Sequence, residues 1–114
     1  MKTLKELQKE VLENKKKHGF NTTDIHKEFC FLYGEVAEAF DAYHKKKTSF
    51  PEELADIAIF LLGISEISGI DLYEEIIKKM EINSKRRYVL NSSGVLEKIP
   101  EKNNEEWKYS SLFF

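Results

Sequence analysis

At 114 residues the chain has the length of one domain with one core, and its formal net charge of -2 excludes a whole-protein field that would recruit nucleic acid or an anionic membrane. A single cysteine, Cys30, excludes an intrachain disulfide framework and points to a reducing compartment; its thiol is read as a small buried hydrophobe. Residues 1 to 18 carry no continuous apolar run and the longest such stretch, Ile57 to Ile64, is too short to span a membrane, so a soluble, cytoplasmic protein is expected.

Four helices are expected in chain order. The first runs from Thr3 to His18, with Leu4, Leu7, Val11 and Leu12 on one face and Gly19 as its stop. The second follows Asn21-Thr22-Thr23 and reaches Lys46, with Phe29, Leu32, Val36, Ala39, Phe40 and Tyr43 at helical spacing. The third opens at Ser49-Phe50-Pro51-Glu52, where Ser49 and Glu52 suit a capping box and proline costs the first turn no hydrogen bond. It runs to Ser68 and is apolar almost all round from Leu54 to Ile64, as a central helix would be. The fourth opens with a second box, Asp71 to Glu74, and carries Leu72, Ile76, Ile77 and Met80 inward. Beyond it, Tyr88 to Leu90 and Val95 to Ile99 flank Asn91-Ser92-Ser93-Gly94 as a short β-hairpin. The aromatic end, Trp107 to Phe114, is expected to dock onto this subunit or a neighbour. A helical domain over residues 1 to 90 and a C-terminal hairpin and aromatic tail over 91 to 114 are expected.

Charge is unevenly placed. From Glu28 to Glu75 there are eleven acidic residues and three lysines, a net -8. Within this stretch Glu35 and Glu38 are three apart on the second helix, and Glu53 and Asp56 three apart on the third. That spacing puts both members of a pair on one helical strip, so side-by-side packing can converge four carboxylates. Asp56 lies among residues that seek the core, and no Lys or Arg occurs between Thr48 and Ile77 to pair with it. A buried, unpaired carboxylate is costly, and a divalent cation held by oxygen ligands, Mg²⁺ or Mn²⁺, would relieve it. Taken singly, each pair also reads as a solvated helix face. Lys79, Asn83 and Arg86, spaced i, i+4, i+7, would share a face of the fourth helix suited to gripping polyphosphate, or form a solvated face with Glu75 paired to Lys79.

These residues resemble a family. Gly34-Glu35-Val36-Ala37-Glu38-Ala39 followed by Glu53-Leu54-Ala55-Asp56 is similar to the E-x-x-E…E-x-x-D signature of MazG-like pyrophosphohydrolases, and Gly69-Ile70-Asp71-Leu72 and Lys79-Met80-Glu81-Ile82-Asn83 follow in the family's order. The resemblance covers roughly residues 1 to 90. It implies an all-α, four-helix bundle-like enzyme that splits nucleoside triphosphates to monophosphate and pyrophosphate. Glu35, Glu38, Glu53 and Asp56 would hold Mg²⁺, with Mn²⁺ as a substitute. Lys79, Asn83 and Arg86 would contact the nucleotide and its phosphates, and Phe60 would lie near the base. The chain departs from the pattern at Phe31 and Leu32, where many relatives carry acids, and at Tyr88, one place late, which leaves Arg87 as an alternative to Arg86.

Other features are read more plainly. His18, His26 and His44 form no metal-ligand set. Phe20 and the Asn21-Thr22-Thr23 loop either line a base pocket or serve loop and cap chemistry. The runs Lys15-Lys16-Lys17 and Lys45-Lys46-Lys47 read as solvated helix ends that suit the helix dipole. A phosphoribosyl-ATP pyrophosphatase-like enzyme and a non-catalytic helical dimerisation module are the competing functions. A di-iron bundle is excluded by the lack of Glu-x-x-His pairs. A subunit this small with an apolar third helix is expected to form a homodimer or homotetramer.

Overall fold

A computed structural model describes residues 1–100; the docking expected of the aromatic tail lies outside them. The described chain is all-α with one small hairpin: α1 (Leu4–Lys17), α2 (Ile25–His44), α3 (Phe50–Ile67), α4 (Leu72–Ser84), β1 (Tyr88–Leu90) and β2 (Leu96–Lys98). It divides into two compact units, Met1–Ile76 and Ile77 onward. Among the described residues no helix is long and apolar enough to cross a membrane.

Local chemistry sets the helix ends. Thr3 and Glu6 form a reciprocal capping box at α1, Glu6 N–H donating to the Thr3 hydroxyl at 3.1 Å and Thr3 N–H to the Glu6 carboxylate at 3.4 Å. Gly19 and Gly69 take the left-handed backbone (φ 72° and 70°) that stops α1 and α3. Asp24 caps α2 by accepting from Lys27 N–H at 3.2 Å. The box expected at Ser49 does not form. A tight turn, Phe50 N–H to Lys47 C=O at 3.3 Å, already holds Ser49 in helical backbone, and its side chain makes no capping bond. Asp71 does accept from Glu74 N–H at 3.2 Å.

In the first unit α3 packs against both α1 and α2. The buried stripe of α2 is rotated from the expected one. Glu28, Leu32, Ala39 and Ala42 are buried with Glu35 half-buried between them, whereas Phe29, Val36, Phe40 and Tyr43 are exposed. Small alanines let α2 approach α3 closely, and the bulkier apolar side chains lie on the adjacent strip of α2, where Tyr43 still meets Phe50 of α3, ring centres 5.3 Å apart. Only the C-terminal half of α3, Leu62 to Ser65, is fully buried; Leu54 and Ile59 are exposed. Helix α4 buries no residue: Ile76, Ile77 and Met80 are exposed rather than inward. Cys30 is exposed too, because it falls on the outer side of α2.

Gln8, absent from the expected core, is 3 % exposed and ties α1 to the α3–α4 junction. Its amide donates to Glu66 at 2.9 Å and to the Ile70 carbonyl at 2.6 Å, and its oxygen accepts from Leu72 N–H at 3.2 Å. It therefore satisfies an orphan donor at the start of α4. Q8L is expected to lower stability by about 1–3 kcal/mol, read as an earlier urea midpoint, because it strands those three partners.

The second unit holds the end of α4 and the hairpin. Its strands pair antiparallel, Tyr88 opposite Lys98 and Leu90 opposite Leu96. Asn91 organises the turn, its side-chain oxygen accepting from Ser93 and Val95 N–H at 2.9 Å each.

Candidate active site

The carboxylates converge between α2 and α3. Glu35, Glu38 and Glu53 each offer an oxygen within 4.8 Å of the others. Glu35 and Glu53 are half-buried and Glu38 is exposed, so the cluster is a surface cleft rather than the dry interior expected for it. Asp56, expected to be buried, is also half-exposed. It stands beside the converging trio, and its charge acts on both Glu35 and Glu53. The reason is where α3 is covered: its burial is concentrated from Leu62 to Ser65, toward its C-terminal end, which leaves the Glu53–Asp56 turn nearer solvent.

The electrostatics show an uncompensated site. Burial first, then the charges of Glu38 and Asp56, push the Glu35 carboxyl above its ordinary value. Burial, Glu38 and Asp56 do the same to Glu53. One oxygen of Glu35 and one of Glu53 are buried with no hydrogen-bond partner. Hard oxygen donors, clustered negative charge and two orphaned buried oxygens fit a divalent cation such as Mg²⁺ or Mn²⁺.

A pH dependence follows from these directions. The folded chain holds protons on Glu35 and Glu53 more tightly than the unfolded chain does, so their contribution turns unfavourable as pH rises. Without metal, stability from this source should fall as pH climbs from about the ordinary 4.5 through the raised folded values. Asp41 behaves oppositely. Hydrogen bonds from Lys45 and Lys47 lower it, so its contribution is lost only in acid, as pH falls from 3.8 through its folded value. Divalent metal at roughly 100 times its Kd should add about 2.7 kcal/mol, raising Tm by on the order of 10 °C, and at one fixed metal concentration the gain should be larger at pH 8 than at pH 5, because metal competes with protons for the carboxylates. Thermal melts with EDTA and with Mg²⁺ or Mn²⁺ measure both slopes.

Two concavities lie along α3, one of them at the cluster. A cavity of about 580 Å³ between α1 and α3 is lined by Val11, Asn14, Lys15, Phe20, Ile59 and Phe60, among others. Phe20 and Phe60 therefore line one and the same space. Phe60 also contacts Phe31, their ring centres 6.1 Å apart. A second, of about 470 Å³, is lined by Glu38, Asp41, Lys47 and Glu53, with Lys47 bound to Asp41 at 3.1 Å.

Lys79 and Asn83 are exposed on α4, in the second unit. Arg86 does not share their helical face. α4 ends at Ser84, and Arg86 lies beyond it, 9 % exposed. The sequence reading missed Glu28 and Lys15. Glu28 is 1 % exposed and paired with Lys15, whose side chain is 13 % exposed, so Lys15 is not part of a solvated helix end. The signal was available: Glu28 falls seven residues before Glu35, on the same stripe as Leu32 and Ala39.

No family model and no curated protein is significantly similar to the chain. Among solved structures it is similar to a cyanophage S-2L MazG-like pyrophosphohydrolase bound to dGDP and three catalytic Mn²⁺ ions per active site. The two are 26 % identical with a TM-score of 0.70, over 89 % of this chain and 97 % of that one. The helical order, the converging carboxylates and this likeness agree: the chain has the MazG-like nucleoside triphosphate pyrophosphohydrolase fold.

Proposed function

We propose that this chain is a Mg²⁺-dependent pyrophosphohydrolase of (deoxy)nucleoside triphosphates, with Mn²⁺ able to replace Mg²⁺. The observation that carries this reading is the convergence of Glu35, Glu38 and Glu53 with two orphaned buried oxygens. The fold likeness to an enzyme holding dGDP and Mn²⁺ supports it.

Glu35, Glu38 and Glu53 would hold the metal, with Asp56 completing the set from one turn along α3. Bound divalent ions supply charge neutralisation for the triphosphate and an activated water. Within the protein, the carboxylates position that chemistry, and Phe20 and Phe60 sandwich or edge the base in the 580 Å³ cavity. Ala55, Ile59 and Phe60 line that cavity from the helix that carries Glu53 and Asp56, so one element aligns base and metal. Lys79, Asn83 and Arg86 are the proposed contacts to phosphate and nucleotide. In the reaction, water oxygen bonds to the α-phosphorus, the bond to the bridging αβ oxygen breaks, and pyrophosphate leaves.

The test is product analysis. Incubation of single (d)NTPs with Mg²⁺ should yield nucleoside monophosphate and pyrophosphate; inorganic phosphate as first product, or no turnover of any nucleotide, would contradict the reading. Phosphoribosyl-ATP belongs in the same panel, since its preferred hydrolysis would assign the chain to the histidine-pathway chemistry instead.

We further propose that the chain works as a homodimer or homotetramer. Phe29, Tyr33, Val36, Phe40 and Tyr43 leave an exposed apolar stripe along α2, more than a solvated helix face needs. Light scattering after size exclusion should give at least a dimer, and F40D should shift it toward monomer.

A further inference from the structure

We propose that Lys15 reads the nucleobase, selecting bases that present a ring carbonyl (guanine, hypoxanthine, uracil, thymine) over those that present an amino group there (adenine, cytosine). This rests on the nucleotide reading of the α1–α3 cavity. Lys15 lines that cavity together with Phe20 and Phe60. Its ammonium lies 5.4 Å from the centre of the Phe60 ring and is paired with the buried Glu28 carboxylate.

The position of this cation is over-determined. Glu28 is held in turn by Asn21, whose amide donates to it at 3.2 Å and to the Asp24 carbonyl at 2.8 Å. At Gly63 α3 comes close to α1: a Cβ there would stand 3.4 Å from Val11 and 3.7 Å from the Lys15 stem. An ammonium has three N–H donors and no acceptor. Glu28 occupies part of that capacity, and what is left on the cavity wall can only donate. A base carbonyl satisfies it; an exocyclic amino group meets it donor to donor. The cavity is roomy enough for either ring size, so polarity and not volume makes the choice. Glu28 and Asn21 act through Lys15 and are positioning residues.

The cleanest probes are dIDP and dADP, which differ at the six-position of the purine, titrated with Mn²⁺ onto the full chain by calorimetry. The wild type should bind dIDP roughly 10- to 100-fold more tightly, the scale of one hydrogen bond made against one donor left facing another. K15M alone strands a buried carboxylate, so K15M/E28M is the informative variant; it should bring the two affinities within about threefold. Equal affinities in the wild type, or an undiminished preference in K15M/E28M, would overturn the assignment. Turnover is a separate axis. A dIDP preference without pyrophosphate release from dITP would keep Lys15 as the base reader and sink the catalytic reading, whereas equal binding with normal release would do the reverse.

Discussion

Replacing Glu53 with glutamine should cut pyrophosphate release by roughly 10³-fold or more at saturating Mg²⁺, while the metal-free protein at neutral pH melts no lower than the wild type. The two halves of this result come from one arrangement. Glu53 converges on Glu35 and Glu38, and its carboxyl is pushed above its ordinary value by burial and by Glu38 and Asp56. Removing its charge relieves repulsion in the empty cluster and removes a ligand from the loaded one. A residue held for folding would show the opposite stability change. E52Q, one position away on the exposed side of the same turn, is the control and should retain near-wild-type turnover. At one fixed Mg²⁺ concentration the stabilisation by metal should also be smaller in E53Q, by about 1.4 kcal/mol for each tenfold loss of affinity.

The second large effect is on stability and lies away from the metal. K15M should destabilise the chain by about 3–5 kcal/mol, the usual cost of leaving a buried charge without its partner. Glu28 is 1 % exposed and takes its charge compensation from Lys15, with Asn21 contributing one hydrogen bond. K15M/E28M should recover most of the loss, since two unbranched apolar side chains can fill the volume of the pair. Urea unfolding of the wild type and the two variants measures it. A single-variant loss under about 1 kcal/mol would show that water reaches Glu28 and that the pair is not rigid.

Much of the fold was legible because local chemistry and global packing agree. Gly19 and Gly69 end helices where only a left-handed residue can, and the i, i+3 acidic pairs could converge once α2 lay beside α3. What was not legible came from the depth of packing. The apolar residues of α2 cover two faces, and periodicity alone could not say that Ala39 and Ala42 face inward while Phe40 and Tyr43 do not. Helix contact favours the small side chains, which hydrophobicity ranks last. The same rotation hid Glu28, an acid at a core position, and turned Lys15 from a helix-end charge into a buried partner. Asp56 failed for a related reason: an apolar local sequence was equated with burial, yet the first half of α3 is largely exposed in the chain. Arg86 was placed on α4 by extending a helical spacing two residues past Ser84, where the helix ends.

Everything functional depends on a cation finding its seat among side chains of α2 and α3. Titrating Mn²⁺ into the wild type and E53Q while following the free ion by electron paramagnetic resonance asks this with no assumption about substrate. Saturable binding to the wild type, weakened at least about tenfold by the single substitution, is the expected result. Binding in the two proteins that is indistinguishable, or none to the wild type at millimolar Mn²⁺ with or without nucleotide, would mean the three acids are only a charged surface.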